Sequence, residues 1–126
     1  MKTRIMLICA AGMSTSLLVT KMVKAAQELG DEVEIFALPF TEGEKIISTV
    51  DCILLGPQVR YAKSEVEKAI EETGKKIPFD VIEMKDYGMM DGKAVYDFAK
   101  KLMNKQSTIN IWDWTTVSFL VRYILG

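Results

Sequence analysis

Short apolar stretches alternate with longer amphipathic stretches along most of the chain. The short stretches are rich in β-branched residues and run nearly unbroken, as buried parallel strands do, whereas the longer ones repeat apolar residues every three to four positions, as helices do. The pattern predicts strands at 3–8, 32–38, 51–56 and 79–84, and helices at 15–29, 42–48, 63–73 and 91–103. This order is that of repeated βαβ units.

A chain of βαβ units favours the α/β class. Because crossovers between parallel strands are right-handed, we predict a four-stranded parallel sheet, doubly wound with helices on both faces. Binding groups gather beyond the carboxyl ends of such strands, where the winding direction reverses. Cys9 follows the first strand and lies at that edge, whereas Cys52 opens the third strand and lies at the opposite end. We therefore expect no disulfide between the two cysteines.

Composition narrows the classes of function. At 126 residues the chain allows one domain, and its net charge of −1 gives no basic field of the kind that nucleic-acid binding needs. Histidine is absent, which removes the commonest general base and metal ligand. We expect no metal or other cofactor. No leader-like segment opens the sequence, so we expect a cytoplasmic protein without direct membrane insertion.

The segment Cys-Ala-Ala-Gly-Met-Ser-Thr-Ser at 9–16 places a cysteine at a strand-to-helix corner. Backbone N–H groups at a helix start have no acceptor within the helix, so the corner can hold phosphate and favours the thiolate of Cys9. We predict Cys9 as the nucleophile. The predicted phosphate-binding residues are Ala10, Ala11, Gly12, Met13, Ser14, Thr15 and Ser16. The plain alternative, a buried apolar cysteine beside a helix-capping hydroxyl, fits this context less well.

Two later loops should reach the same edge of the sheet. Gln58 is a candidate contact to phosphate or to a partner, with a simple Gly-Pro turn as an equal alternative, and for Arg60 we favour a solvated side chain. Tyr87 is a candidate contact that covers the cysteine loop or merely packs, and Asp86 fits a turn better than a general acid. Three methionines are candidate partner contacts: Met13, Met89 and Met90.

Two segments together resemble one known family. Cys-Ala-Ala-Gly-Met-Ser-Thr-Ser at 9–16 and Leu-Leu-Gly-Pro-Gln-Val-Arg-Tyr at 54–61 resemble the IIB component of the bacterial sugar phosphotransferase system (PTS), in its lactose, cellobiose and chitobiose class. The resemblance implies that Cys9 accepts a phosphoryl group from a phosphohistidine on a IIA partner. It further implies transfer to a sugar bound by the membrane permease IIC, a β-glucoside or disaccharide such as cellobiose, chitobiose or lactose.

Two alternatives to a phosphocarrier stay open. Low-molecular-weight tyrosine phosphatases have a similar topology, with a cysteine loop Cys-x5-Arg after the first strand. Thr15 stands at the arginine position here, so phosphate loses a bidentate clamp and hydrolysis should be poor. A non-catalytic, phosphate-binding regulatory domain would use the same loop without covalent transfer.

The pattern changes near the carboxyl end. We predict a phosphocarrier domain at 1–105 and an apolar tail at 106–126, which holds both tryptophans. Asp113 and Arg122 interrupt the tail and leave too short an apolar run for a membrane span. We favour a linker or residues foreign to the domain over an extra packed element or an association surface.

Overall fold

The computed structural model describes residues 2–10 and 13–113, and for residues 13, 14 and 105–113 it describes the backbone alone. The elements are β1 (Thr3–Ile8), α1 (Met13–Glu28), β2 (Val33–Leu38), α2 (Phe40–Gly43), β3 (Cys52–Leu55), α3 (Lys63–Thr73), β4 (Phe79–Val81), α4 (Met84–Gly88) and α5 (Gly92–Asp113). Two 3₁₀ segments, Glu44–Thr49 and Pro57–Ala62, precede β3 and α3 respectively.

The strands form a parallel sheet in the order β2-β1-β3-β4. β1 is an inner strand, and its last residue, Ile8, lies opposite both Leu38 of β2 and Leu55 of β3. The chain moves outward from β1 to β2 and then crosses to β3 on the other side. The winding therefore reverses between β1 and β3, and the predicted doubly wound parallel sheet is confirmed.

Helices cover both faces of the sheet because alternate strand residues point to opposite sides. One core cluster joins β1 to α1 and α5 and includes Ile5, Leu7, Leu18, Met22 and Val95. The other cluster joins β1 and β3 to α3 and includes Met6, Ile8, Ile53, Val66 and Ile70. Each of these side chains is at least nine-tenths buried, so β1 is packed from above and below.

The connection between β2 and β3 differs from the predicted helix at 42–48. The chain makes the single α turn of α2 and then a 3₁₀ segment, interrupted at Ile46, whose φ of −119° and ψ of 15° are not helical. Gly43 lies directly against β1: a Cβ there would come within 2.8 Å of Ile8 Cδ1. At Gly43 the connection therefore runs too near β1 to leave room for a side chain, whereas Ile47 of the 3₁₀ segment packs into the core cluster.

The last two elements also differ from prediction. β4 ends at Val81 instead of 84, and the predicted loop at 84–88 is the short helix α4. α5 begins after Asp91, whose carboxylate accepts a hydrogen bond from the Ala94 N–H at 3.0 Å, and continues to Asp113 rather than ending at 103. The predicted boundary at 105 falls within this helix. The role of the tail stays a prediction, and residues 114–126 lie outside the described residues.

A polar cluster ties α5 to the turn before β2. The Tyr96 hydroxyl donates to Asp31 Oδ2 at 2.6 Å, and Lys100 Nζ donates to the same oxygen at 2.8 Å. The Lys100 hydrogen bond, followed by that of Tyr96, lowers the pKa of Asp31 below its ordinary value. Burial, followed by the hydrogen bond to Asp31, raises the pKa of Tyr96. The cluster fixes α5 at the amino end of the sheet, remote from Cys9.

Candidate functional site

Cys9 lies where the ends of three strands meet. Its N–H donates to the Leu38 carbonyl at 3.1 Å, and the Gly56 N–H donates to the carbonyl of Ile8 at 3.0 Å. These bonds hold the residues just after β1 and β3 at the point where the winding reverses. The side chain of Cys9 is partly accessible to solvent. The predicted nucleophile is thus held at the edge of the sheet where ligands of doubly wound folds bind.

The last four predicted phosphate-binding residues, 13–16, form the first turn of α1. The helix begins at Met13, so the N–H groups of its first turn lack acceptors within the helix and point toward its amino-terminal end. Ala10 and Ser16 are exposed. Two predicted members of the loop, Ala11 and Gly12, lie outside the described residues, as do the side chains of Met13 and Ser14.

The structure brings two of the predicted site residues together. The hydroxyl oxygens of Thr15 and Tyr87 are 3.0 Å apart, although the two residues are 72 positions apart in the sequence. Thr15 is 3% exposed and Tyr87 is 6% exposed, so their hydrogen bond is shielded from water. α4 therefore contacts the start of α1, and Tyr87 both packs in the core and covers the first turn after the cysteine loop.

Gly56 connects Tyr87 to the loop after β3. A Cβ on Gly56 would lie 3.3 Å from Gln58 Oε1, 3.5 Å from Tyr87 Cε2 and 3.6 Å from the Ile8 carbonyl oxygen. The amide of Gln58 thus turns back over Gly56, toward the same corner as Cys9 and Tyr87. Arg60 is exposed. Of the two candidates in this loop, Gln58 is the one that the structure brings to the corner.

Cys52 occupies a different environment. It lies opposite Ile5 in the sheet, four residues before Cys9 along the neighbouring strand, and is fully buried. Burial, with a smaller contribution from the charge of Asp51, raises the pKa of Cys52 to about 12. Both thiols are free. Cys52 therefore lies away from the edge of the sheet that holds Cys9, as predicted, and is an inert core residue.

We expect a maleimide to label Cys9 and to leave Cys52 unlabelled in the folded protein near neutral pH. The reason is that the reactive species is the thiolate, and Cys52 is both inaccessible and kept protonated by its burial. Peptide mapping by mass spectrometry after a timed reaction measures this. Labelling in denaturant, where both cysteines should react, is the control. Modification of Cys52 at a rate comparable to Cys9 under native conditions would contradict the assignment.

Large apolar side chains are exposed on segments that adjoin the edge of the sheet at Cys9. They are Leu17, Tyr61, Met84 and Met89, each 49% to 75% exposed. A further exposed apolar side chain, Leu29, follows the carboxyl end of α1, at the opposite end of the sheet. Of the predicted partner contacts, Met89 is exposed, whereas Met90 is half-buried against the core cluster of α1 and α5. Sequence reasoning missed Leu17 and Met84, because a helical apolar pattern does not say which of its members lies just outside the packed face.

Two further features bear on cofactors and membranes. Within residues 2–10 and 13–113, no three histidine, cysteine or acidic side chains are close enough to hold a metal ion. Over the same part of the chain, none of the helices is long and apolar enough to cross a membrane. The expected lack of a cofactor and the expected cytoplasmic location stay predictions.

Comparisons with known proteins agree with the geometry. The family model described as "PTS system, Lactose/Cellobiose specific IIB subunit" matches residues 4–98. A galactose-specific EIIB component of the PTS from Lactococcus lactis is 50% identical over 105 residues, which cover 79% of this chain and 95% of the relative. An oligo-beta-mannoside-specific EIIB component from Bacillus subtilis is 44% identical over 103 residues, 82% of this chain and 98% of the relative.

Solved structures give the same fold. The solution structure of a cellobiose-specific IIB component from Borrelia burgdorferi has a TM-score of 0.68 and 33% identity, and the match covers 83% of this chain and 94% of that one. A lactose-specific IIB domain from Streptococcus pneumoniae has a TM-score of 0.71 at 18% identity, covering 81% and 98%. At that identity the second likeness concerns the fold alone.

Proposed function

The chain belongs to the family of lactose/cellobiose-specific IIB subunits of the sugar phosphotransferase system, whose members act in sugar phosphotransfer, and from this premise we propose that it is a phosphocysteine carrier. Cys9 takes a phosphoryl group from a phosphohistidine of a IIA partner and gives it to a sugar bound by the membrane permease IIC. The observation that carries the proposal is the position of Cys9, partly accessible between the end of β1 and the first turn of α1.

The first step is the loading of Cys9. The thiolate sulfur attacks the phosphorus of the donor phosphohistidine, a sulfur–phosphorus bond forms, and the phosphorus–nitrogen bond breaks. The electron pair of the broken bond returns to the imidazole nitrogen of the donor. This chain contains no histidine, which fits a division of labour in which the donor imidazole belongs to the partner.

The second step is the unloading of Cys9. A hydroxyl oxygen of the sugar attacks the phosphorus, the sulfur–phosphorus bond breaks, and the thiolate leaves with the bonding electron pair. The hydroxyl proton passes to a base of the permease or to water. The products are a sugar phosphate and the free thiolate of Cys9, so the carrier returns to its starting state.

The loop and the helix start supply what both steps need. Negative charge on the equatorial oxygens of the transferring group is stabilised by hydrogen-bond donors that are already in position. Backbone N–H groups of residues 10–16 are the proposed donors, helped by the positive end of the α1 dipole. Gln58 is a further candidate, because its amide lies over Gly56 at the same corner. No metal ion is required by this scheme.

The identity of the sugar is a property of the permease in this proposal. The relatives are described as specific for galactose, cellobiose and oligo-beta-mannoside, although they are all 44% to 50% identical to this chain. Such different sugars are compatible with closely similar IIB chains if the carrier itself does not bind the sugar. For this chain we propose a β-glucoside or disaccharide of the cellobiose, chitobiose or lactose type.

A phosphoryl-transfer assay tests the proposal. The chain is incubated with phosphoenolpyruvate, the general phosphotransferase proteins and a IIA protein, and the adduct is mapped by mass spectrometry near neutral pH. We expect one phosphoryl group on Cys9, which is lost to sugar only when membranes containing IIC are added. Rapid release of inorganic phosphate from an aryl phosphate would instead support a phosphatase, and phosphate binding without an adduct would support a regulatory domain.

A further inference from the structure

We infer that the hydroxyl pair Thr15–Tyr87 is a side-chain hydrogen-bond donor for the phosphoryl group on Cys9. Thr15 would contact the phosphoryl group, and Tyr87 would be a positioning residue that acts through Thr15. The inference rests on the proposed function, which it extends from the backbone of the loop to two named side chains. The juxtaposition that carries it is the buried 3.0 Å contact between the two hydroxyl oxygens.

The hydroxyl pair has one more hydrogen than the hydrogen bond within the pair uses. Two hydroxyl groups carry two hydrogens, and the hydrogen bond between them uses one. Among the residues that the structure describes, this is the sole hydrogen bond of either side chain. Within the described part of the chain, one O–H hydrogen of the pair therefore has no acceptor, in a nearly water-free position. A phosphoryl group, whose oxygens only accept, is a suitable partner for it.

The free hydrogen belongs to whichever hydroxyl accepts the hydrogen bond within the pair. The distance allows either oxygen to donate, and because a phenol is a better hydrogen-bond donor than an aliphatic alcohol, we assign Tyr87 as the donor and Thr15 Oγ1 as the acceptor. The remaining hydrogen then belongs to Thr15. A hydroxyl that already accepts a hydrogen bond also becomes a stronger donor, because successive hydrogen bonds polarise one another.

The pair lies beside the chain segment that leads into Cys9. Thr15 is in the first turn of α1, and the Tyr87 ring packs beside Gly56, whose N–H binds the carbonyl of Ile8. Ile8 is the residue before Cys9. Both ends of the pair are thus joined to the segment that carries the nucleophile: Thr15 through the helix start and Tyr87 through the loop after β3.

A neutral donor at this position suits a carrier. Thr15 occupies the position that arginine takes in the Cys-x5-Arg loop of phosphatases. A guanidinium would add a permanent charge and a bidentate clamp, whereas a hydroxyl gives one weaker hydrogen bond. The phosphoryl group is then held in register for the next attack and is still readily released.

A double-mutant cycle tests the inference. The variants are Thr15→Val, Tyr87→Phe and the double variant, with Thr15→Ser as the matched control that keeps the hydroxyl. Tyr87→Phe retains the ring beside Gly56 and removes one oxygen. We measure the rate of phosphoryl acceptance from IIA and the ³¹P chemical shift of the phosphocysteine, and we check folding of each variant by circular dichroism.

We expect Thr15→Val to slow acceptance roughly tenfold, the effect of losing one hydrogen bond to a charged group, and to move the ³¹P resonance. Tyr87→Phe should slow it several-fold, the double variant should be no slower than Thr15→Val, and Thr15→Ser should accept at nearly the wild-type rate. Wild-type rates and shifts in folded Thr15→Val and Tyr87→Phe would overturn this inference alone. Failure of the wild-type chain to form phosphocysteine would overturn the proposed function and this inference with it.

Discussion

The Cys9→Ser variant is expected to fold normally and to accept phosphoryl groups at least about a thousandfold more slowly than the wild-type chain. A serine hydroxyl stays protonated near neutral pH, and the corner offers no histidine to take its proton. The substitution changes one atom in a partly accessible side chain, so packing is little altered. The loss therefore reports on the nucleophile itself.

Cys52→Ala is the matched control for Cys9→Ser. It removes the other thiol from the buried amino end of β3, where we expect a cost of about 1 kcal/mol in the free energy of unfolding and no change in the site of phosphorylation. Intact-mass spectrometry after incubation with the IIA donor distinguishes the two variants. A stable phosphorylated species of Cys9→Ser, formed at the wild-type rate, would rule out sulfur as the acceptor.

The Gly92→Ala variant is expected to lose about 3 kcal/mol of its free energy of unfolding. A Cβ on Gly92 would overlap the Lys21 carbonyl carbon and would lie 2.7 Å from the carbonyl oxygen. Both are backbone atoms of α1, which cannot turn aside as the end of a flexible side chain can. Relief of the overlap requires α5 to move away from α1, which opens the core cluster around Met22 and Val95.

Gly88→Ala is the matched control for Gly92→Ala. No atom lies within 4 Å of a Cβ at Gly88, and its backbone needs no left-handed conformation, so we expect a change within about 0.5 kcal/mol. Urea unfolding of both variants, followed by circular dichroism, measures the difference in their free energies of unfolding. Equal stabilities of the two variants would show that the α1–α5 crossing adapts to a methyl group at no cost.

Much of the fold can be predicted from the sequence because the buried strands of a parallel sheet appear in it as unbroken apolar runs. β1 has the predicted bounds, and β2, β3 and α1 agree with prediction within two residues at each end. The right-handed crossover rule then leaves few arrangements, and the predicted reversal of winding beside Cys9 is found between β1 and β3. Hydrophobic periodicity and the right-handed crossover rule are thus enough to predict the parallel, doubly wound sheet.

The connections were less predictable because contacts that are distant in sequence determine them. The helix predicted at 42–48 is a short α turn and a 3₁₀ segment, and the approach of Gly43 to Ile8 that accompanies this is invisible to periodicity. β4 is shorter than predicted, since the chain turns into α4 at Met84 and brings Tyr87 against the start of α1. Tertiary packing overrides local propensity in both places.

The candidate site could also be predicted only in part. Cys9 and the loop that follows it can be identified from a local motif, because a strand end, a glycine and a helix start are consecutive in the sequence. The contact between Thr15 and Tyr87 cannot be found from a local motif, since 72 positions separate the two residues. The sequence shows that both reach one edge of the sheet, and only the fold shows that their hydroxyls meet.

Because β1 is an inner strand, local opening of the sheet is expected more often at its border than at β1. The three-residue strand β4 forms one border of the sheet and has a neighbour on one side, whereas β1 is bonded on both sides. Transient local openings begin at such borders and reach a doubly bonded strand last. The strand that leads into Cys9 is therefore expected to keep its hydrogen bonds while the border of the sheet at β4 opens and closes.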